Sequence, residues 1–202
     1  MLIAVTLTFS LVACGSTDER SITGLVRDTP LDVGAVQVTD VTSTGVFAEH
    51  DERFEFVARP DSLLVVYFGY TNCPDLCPTT LAELRAATRR LGDDSSRVDL
   101  AMITVDPDRD TASVMNGFLS SFSERFHALR PVSTDELQTV EDAFLASSNV
   151  RVGTDGVVEV SHSANAYVVD ESGRVVVEWP FGHGVEGMYD DLHILLTDRS
   201  VG

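Results

Sequence analysis

The stretch Ser62-Leu63-Leu64-Val65-Val66-Tyr67-Phe68-Gly69-Tyr70-Thr71-Asn72-Cys73-Pro74-Asp75-Leu76-Cys77-Pro78 decides the fold. Its first part, Ser62–Tyr70, is an unbroken β-branched and aromatic run, which suits a central strand covered on both faces. It ends at Thr71-Asn72, where turn chemistry begins. From Pro78 to Leu91 the residues Leu81, Leu84, Thr88 and Leu91 recur at spacings of three and four, so the chain predicts a helix there. Pro78 suits a first helical position, Gly92 suits a stop, and Arg89 and Arg90 complement the negative end of the dipole. A buried strand running straight into a helix through two cysteines is the start of an α/β sandwich.

Working outward, Ala35–Asp40 and Arg53–Ala58 alternate weakly, as half-buried strands do. Val98–Val105 reads as a second buried strand, broken by Asp106-Pro107-Asp108-Arg109-Asp110. A helix over Thr111–Phe122, capped by Asp110, follows. Another covers Asp135–Ser147, capped by Ser133 or Thr134. Ala164–Asp170 and Arg174–Trp179 form a hairpin around Glu171-Ser172-Gly173, and residues 188–199 make a last helix. Met102, Met115 and Trp179 read as core. This order predicts a mixed central sheet flanked by helices, with a C-terminal β-hairpin. A thioredoxin-like fold satisfies it.

Fourteen basic residues, all arginine, stand against 32 acidic ones, for a net charge of −18. Such a surface repels nucleic-acid backbones and anionic bilayers, so no nucleic-acid partner is expected and membrane attachment must be hydrophobic or covalent. Residues 2–12 are uncharged and apolar or hydroxylated, but too short to span a bilayer. They fit the core of a secretory signal over residues 1–13. Leu11-Val12-Ala13-Cys14 resembles a bacterial lipobox, which makes Cys14 the lipidated residue. Residues 14–34 are then expected to be a flexible tether, with a short strand at Ile22–Val26 inside it, and 35–202 the domain, held on the extracytoplasmic side of the cell membrane.

Three cysteines are too few for a disulfide scaffold. Cys73 and Cys77 sit between strand end and helix start, the edge of an α/β sheet where ligand sites form. The spacing i, i+4 lets both sulfurs share a face, and the helix N-terminus should favour thiolate. A histidine would complete a Cys₂His set suited to copper. The candidates are His50, His127, His162, His183 and His193. His162 stands just before a strand, so a rigid element holds it, but spacing alone leaves the choice open. Asp75 between the cysteines faces solvent or repels thiolate. Asp106 is a turn-former or a group supporting the site from behind.

The pieces Tyr67–Leu84, Ile103–Thr111 and Ser161-His162-Ser163 followed by Tyr167 resemble, in order and spacing, the Sco/SenC family of membrane-anchored thioredoxin-fold copper proteins. That resemblance implies Cys73, Cys77 and His162 as copper ligands, for Cu(I) and Cu(II). It also implies a metallochaperone that takes copper from a donor and delivers it to the dinuclear copper centre in the copper-accepting subunit of cytochrome c oxidase. The competing reading is an extracytoplasmic thiol–disulfide reductase that cycles a Cys73–Cys77 disulfide and keeps the oxidase cysteines reduced. A peroxidase on the same fold is a remote third.

Overall fold

The computed structural model describes residues 21–48 and 52–197. In chain order the elements are β1 (Gln37–Thr39), β2 (Arg53–Glu55), β3 (Leu63–Gly69), α1 (Leu76–Arg90), β4 (Val98–Thr104), α2 (Ala112–Leu119), β5 (Phe126–Leu129), α3 (Thr134–Phe144), β6 (Ser148–Val152), β7 (Val158–His162), β8 (Ala166–Val169), β9 (Val175–Trp179) and α4 (Gly184–Thr197). The main sheet has the order β5-β4-β3-β8-β9. β3, β4 and β5 are parallel, and β8 and β9 close the sheet antiparallel. This is the thioredoxin-like mixed sheet with its terminal hairpin. Among the described residues no helix is long and apolar enough to cross a membrane.

β3 is buried along its whole length, as its sequence requires for the middle of a two-sided sandwich. Its successive side chains point to opposite faces. Tyr67 faces the layer that contains Cys77. Phe68 meets Phe144 of α3 and Tyr167 of β8 edge-on, with ring centroids 5.5 and 6.1 Å apart. Phe144 also packs on Phe56, so one aromatic cluster ties α3 to the sheet. The acid inside β4, Asp99, survives burial because Arg59 and Arg125 donate to its carboxylate at 2.7 and 2.8 Å.

Several features depart from the sequence reading, among them the last helix, which starts at Gly184 and not at residue 188. α1 starts at Leu76, two residues before Pro78. The first turn of any helix carries unpaired N–H groups, so proline fits there as well as at the first position. α2 is capped by Thr111, whose side chain accepts from the Val114 amide, and not by Asp110. β5 and the separate hairpin β6–β7 were not expected at all. The helix stop was read correctly: Gly92 follows the cap Leu91 with φ +62°, the left-handed turn that glycine adopts freely.

Residues 21–34, expected as part of a flexible tether, are instead seated on the sheet. Leu25 exchanges two backbone hydrogen bonds of 2.9 Å with Glu178, and Val175 donates to Leu31 at 2.9 Å, all along β9. Asp191, fully buried in α4, accepts from the Thr23 and Gly24 amides at 2.6 and 2.9 Å and from the Trp179 indole at 2.8 Å. Further on, the chain pairs with the opposite edge: Val41 donates to Ala128 and Arg130 to Thr39, each at 2.9 Å, beside β5. The short strand expected at Ile22–Val26 is where Leu25 bridges to Glu178; the rest of the tether reading came from composition, which does not register backbone pairing of this kind. The expected signal segment 1–13 and the expected lipidation residue Cys14 lie outside the described residues.

Candidate metal centre

The site grows from the C-terminal end of β3. Gly69 ends the strand, and a Cβ there would lie 3.2 Å from the Cys77 sulfur and 2.8 Å from the Tyr67 ring. Only glycine lets Cys77 fold back over the strand. Cys73 lies in the turn before α1, and Cys77 is the second residue of the helix. The Cys77 amide, one of the helix's unpaired donors, points at the Cys73 sulfur at 3.3 Å. Both cysteines are free thiols; Cys77 is 0% exposed and Cys73 8%.

His162 closes the group from β7. Its Nε2 lies 3.7 Å from the Cys77 sulfur, and the two sulfurs and a ring nitrogen all fall within 4.8 Å of one another. Among the described residues no other three Cys, His or carboxylate side chains gather in this way. The Nδ1 of His162 is 2.8 Å from the Ser163 carbonyl. A carbonyl only accepts, so Nδ1 carries the proton and the Nε2 lone pair faces the cysteines. Tyr67 and Tyr70 stand edge-on to the imidazole, at 6.2 and 5.9 Å and both near 88°. Mutual hydrogen bonds between Ser147 and Ser163 hold the base of the hairpin that carries it.

The cysteine loop is latched by Asp110, a residue the sequence reading assigned to a helix cap. It is fully buried. Its carboxylate accepts from the Thr71 amide at 3.0 Å, the Thr71 hydroxyl at 2.5 Å and the Thr104 hydroxyl at 2.6 Å. Arg130 braces the loop that carries Asp110 by donating to the Asp110 and Pro107 carbonyls. The signal for this role was the dense Asp-Pro-Asp-Arg-Asp-Thr run at a strand end, more polar than a turn alone needs. Asp106 is buried and paired with Arg109, whose guanidinium lies 5.9 Å from the Tyr70 ring centroid. Asp106 thus reaches His162 only through Arg109 and Tyr70. Asp75 is solvent-exposed.

One electrostatic expectation is overturned. The helix N-terminus was expected to favour thiolate, yet burial pushes the Cys77 thiol up to about 12. Desolvation of the charged form outweighs the helix dipole at a fully enclosed sulfur. The Tyr67 hydroxyl is buried beside this sulfur with no hydrogen-bond partner, and burial raises its pKa as well.

The other histidines are spoken for elsewhere. His127 contacts Asp40 at 2.7 Å and stacks on Phe47. His183 stacks on Trp179, and His193 on Tyr189. His50 lies outside the described residues.

Two soft sulfurs and a lone-pair imidazole on a thioredoxin-like scaffold define a thiol-based metal or redox domain. The SCO1/SenC family model matches residues 49–197, and the chain belongs to that family. The mitochondrial SCO2 homologue of Danio rerio is 35% identical over 115 residues, which are 56% of this chain and 41% of that protein. The copper-bound structure of ScoI from Bradyrhizobium japonicum is 28% identical with a TM-score of 0.64, covering 82% of this chain and 96% of that one. Apo Sco1 from Thermus thermophilus, 24% identical, covers 88% and 99% with a TM-score of 0.72 and supports the fold. The chain spans about half the length of the curated relatives it matches.

Proposed function

We propose that this chain binds one copper ion between Cys73, Cys77 and His162 and passes it to the dinuclear copper centre of cytochrome c oxidase, while a lipid on Cys14 holds it at the outer face of the cell membrane. The observation that carries the copper reading is the donor triangle with its fixed tautomer. Three bonds of about 2.2 Å at 120° put donor atoms about 3.8 Å apart. The Cys77–His162 edge of 3.7 Å already matches that span. Two thiolates with one imidazole suit Cu(I), and the nitrogen donor also accommodates Cu(II). Family membership and the copper-bound Bradyrhizobium relative support the same reading.

Copper is the cargo here. Uptake displaces the thiol protons of Cys73 and Cys77 to solvent, and the Nε2 lone pair needs no proton removed. Cys73 is the more exposed sulfur, so an incoming thiolate from a donor or acceptor protein meets it first. The reductase alternative uses the same two thiols. Against it, Cys77 is enclosed and protonated, which makes it a slow nucleophile in disulfide exchange. Metal binding has no such handicap, because coordination itself drives the proton off.

The test is an anaerobic Cu(I) titration of the reduced chain. One equivalent should bind tightly, and Cys73→Ser or Cys77→Ser should each abolish it. His162→Ala should weaken Cu(I) in part and remove the coloured Cu(II)–thiolate band. Full copper affinity in either cysteine variant would sink the proposal. For the anchor, Cys14→Ser should move the protein out of the membrane fraction; a parent chain without lipid by mass spectrometry counts against it. In cells, a His162→Ala strain that assembles oxidase normally without added copper would favour the reductase.

A further inference from the structure

A groove of about 500 Å³ opens between α3, β6 and the loops that follow β4 and β5. Glu141 comes from the buried face of α3, is only 5% exposed, and lines this groove. Its Oε1 is shut from solvent without a hydrogen-bond partner. Buried carboxylate oxygens ordinarily find a donor, so this one is set up to receive a donor from outside.

The surrounding charge says which kind. The lining holds the carboxylates of Asp106, Asp108 and Glu141 against the single guanidinium of Arg130. Arg130 commits Nε and one terminal nitrogen to the Asp110 and Pro107 carbonyls, and Arg109 takes up Asp106. The rim, by contrast, is apolar: Val132 is 69% exposed and Val150 43%. An aliphatic rim over an acidic floor matches a side chain with an alkyl stem and a cationic head. A guanidinium suits it best, being weakly hydrated and shaped to meet a carboxylate. A bare metal ion fits less well, since no group of three metal-ligating side chains gathers in the groove among the described residues.

The groove also adjoins the metal centre. In the β6–β7 register Ser148 lies opposite His162 and Val150 opposite Val160. Directly opposed and alternate residues share a face, so the groove wall and His162 project from the same side of the hairpin. The geometry points to this groove as the docking site for an arginine or lysine side chain of the protein that exchanges copper with this chain. The partner's identity rests on the copper reading; the preference for a cationic head does not.

The probe is the tripeptide acetyl-Val-Arg-Val-amide, with citrulline and norleucine versions as neutral controls. It is titrated into the full chain, metal-free and copper-loaded, while NMR follows Val132, Glu141 and Val150. The arginine peptide should give saturable shifts at these residues, and both controls should bind about tenfold more weakly or worse. Glu141→Gln removes the charge at nearly constant shape. It should lose the same factor of about ten while copper affinity stays within about twofold. Val150→Lys, at an exposed position, brings the chain's own ammonium to the groove and should block the peptide. No saturable shift, equal binding of the norleucine peptide, or unchanged binding to Glu141→Gln overturns the proposal. A chain that binds the peptide but takes up no copper keeps the docking site and removes copper exchange as its purpose.

Discussion

Asp110 is the place to break the site without touching a proposed copper ligand. It receives three hydrogen bonds at zero exposure, two of them from Thr71, two residues before Cys73. Bonds to a charged acceptor contribute about 1.5–3 kcal/mol each, and neutral ones about 0.5–1.5. Asp110→Asn keeps an oxygen for the Thr71 amide but loses the charge, so a cost of about 2 kcal/mol is expected. Asp110→Ala orphans that amide, which cannot turn elsewhere as the hydroxyls can, and should cost about 4 kcal/mol. For a domain of this size each kcal/mol lowers Tm by about 2–4 °C, hence about 4–8 °C for asparagine and 8–16 °C for alanine. The loosened cysteine loop must be reordered when copper binds. Copper affinity should therefore fall in Asp110→Asn by at most about 30-fold, the equivalent of 2 kcal/mol. Circular dichroism melts and competition with a chromophoric Cu(I) chelator measure the two quantities. Asp75→Asn, at an exposed residue, should change neither. If Asp110→Asn melts within about 1 °C of the parent and binds copper equally well, the latch is not what orders the loop.

Two further outcomes concern the buried sulfur. Burial lifts the Cys77 thiol from its ordinary value of 9.0 to about 12, so from pH 6 to 9 each copper bound must expel its proton. Copper affinity should rise about tenfold per pH unit from this thiol alone, and a flat pH profile would contradict the burial argument. Because the folded pKa is the higher one, the associated stability is complete below pH 9 and lost as pH climbs from 9 towards 12. Cys77→Ala should make that alkaline limb shallower in denaturant titrations, leaving the part due to the buried Tyr67 and Tyr167. Tyr67→Phe removes an unpartnered buried hydroxyl. It should stabilise the metal-free chain by about 1–2 kcal/mol and raise Tm by several degrees. A lower Tm would mean that the hydroxyl is bonded to the Cys77 sulfur in solution.

The strand–cysteine–helix passage from Leu63 to Arg90 was legible because each step has strong local chemistry: a β-branched run, a turn, a proline and a periodic apolar stripe. The hairpin β6–β7 was equally readable in principle. Val150 and Val152 alternate with polar residues, Val158 and Val160 do the same, and Asp155-Gly156 lies between them. β5 has only four residues, too few for a period to emerge. What was beyond local reading is tertiary. Asp110 could cap a helix or bind Thr71, and only the fold decides which. The acidity of Cys77 depends on its enclosure, which spacing does not report. The likeness of Ser161-His162-Ser163 to a family motif singled out His162, where position in the chain left five candidates.

The N-terminal segment's run past both β9 and β5 has a consequence for how this protein meets others. A sheet edge with unpaired amides and carbonyls is a template for any passing strand. Here Leu25 and Leu31 occupy one flank and Thr39 and Val41 the other. Molecules crowded together in two dimensions, as the proposed lipid anchor would hold them, are therefore kept from zippering into ribbons through their main sheets. A visitor to the main sheet must be recognised through side chains.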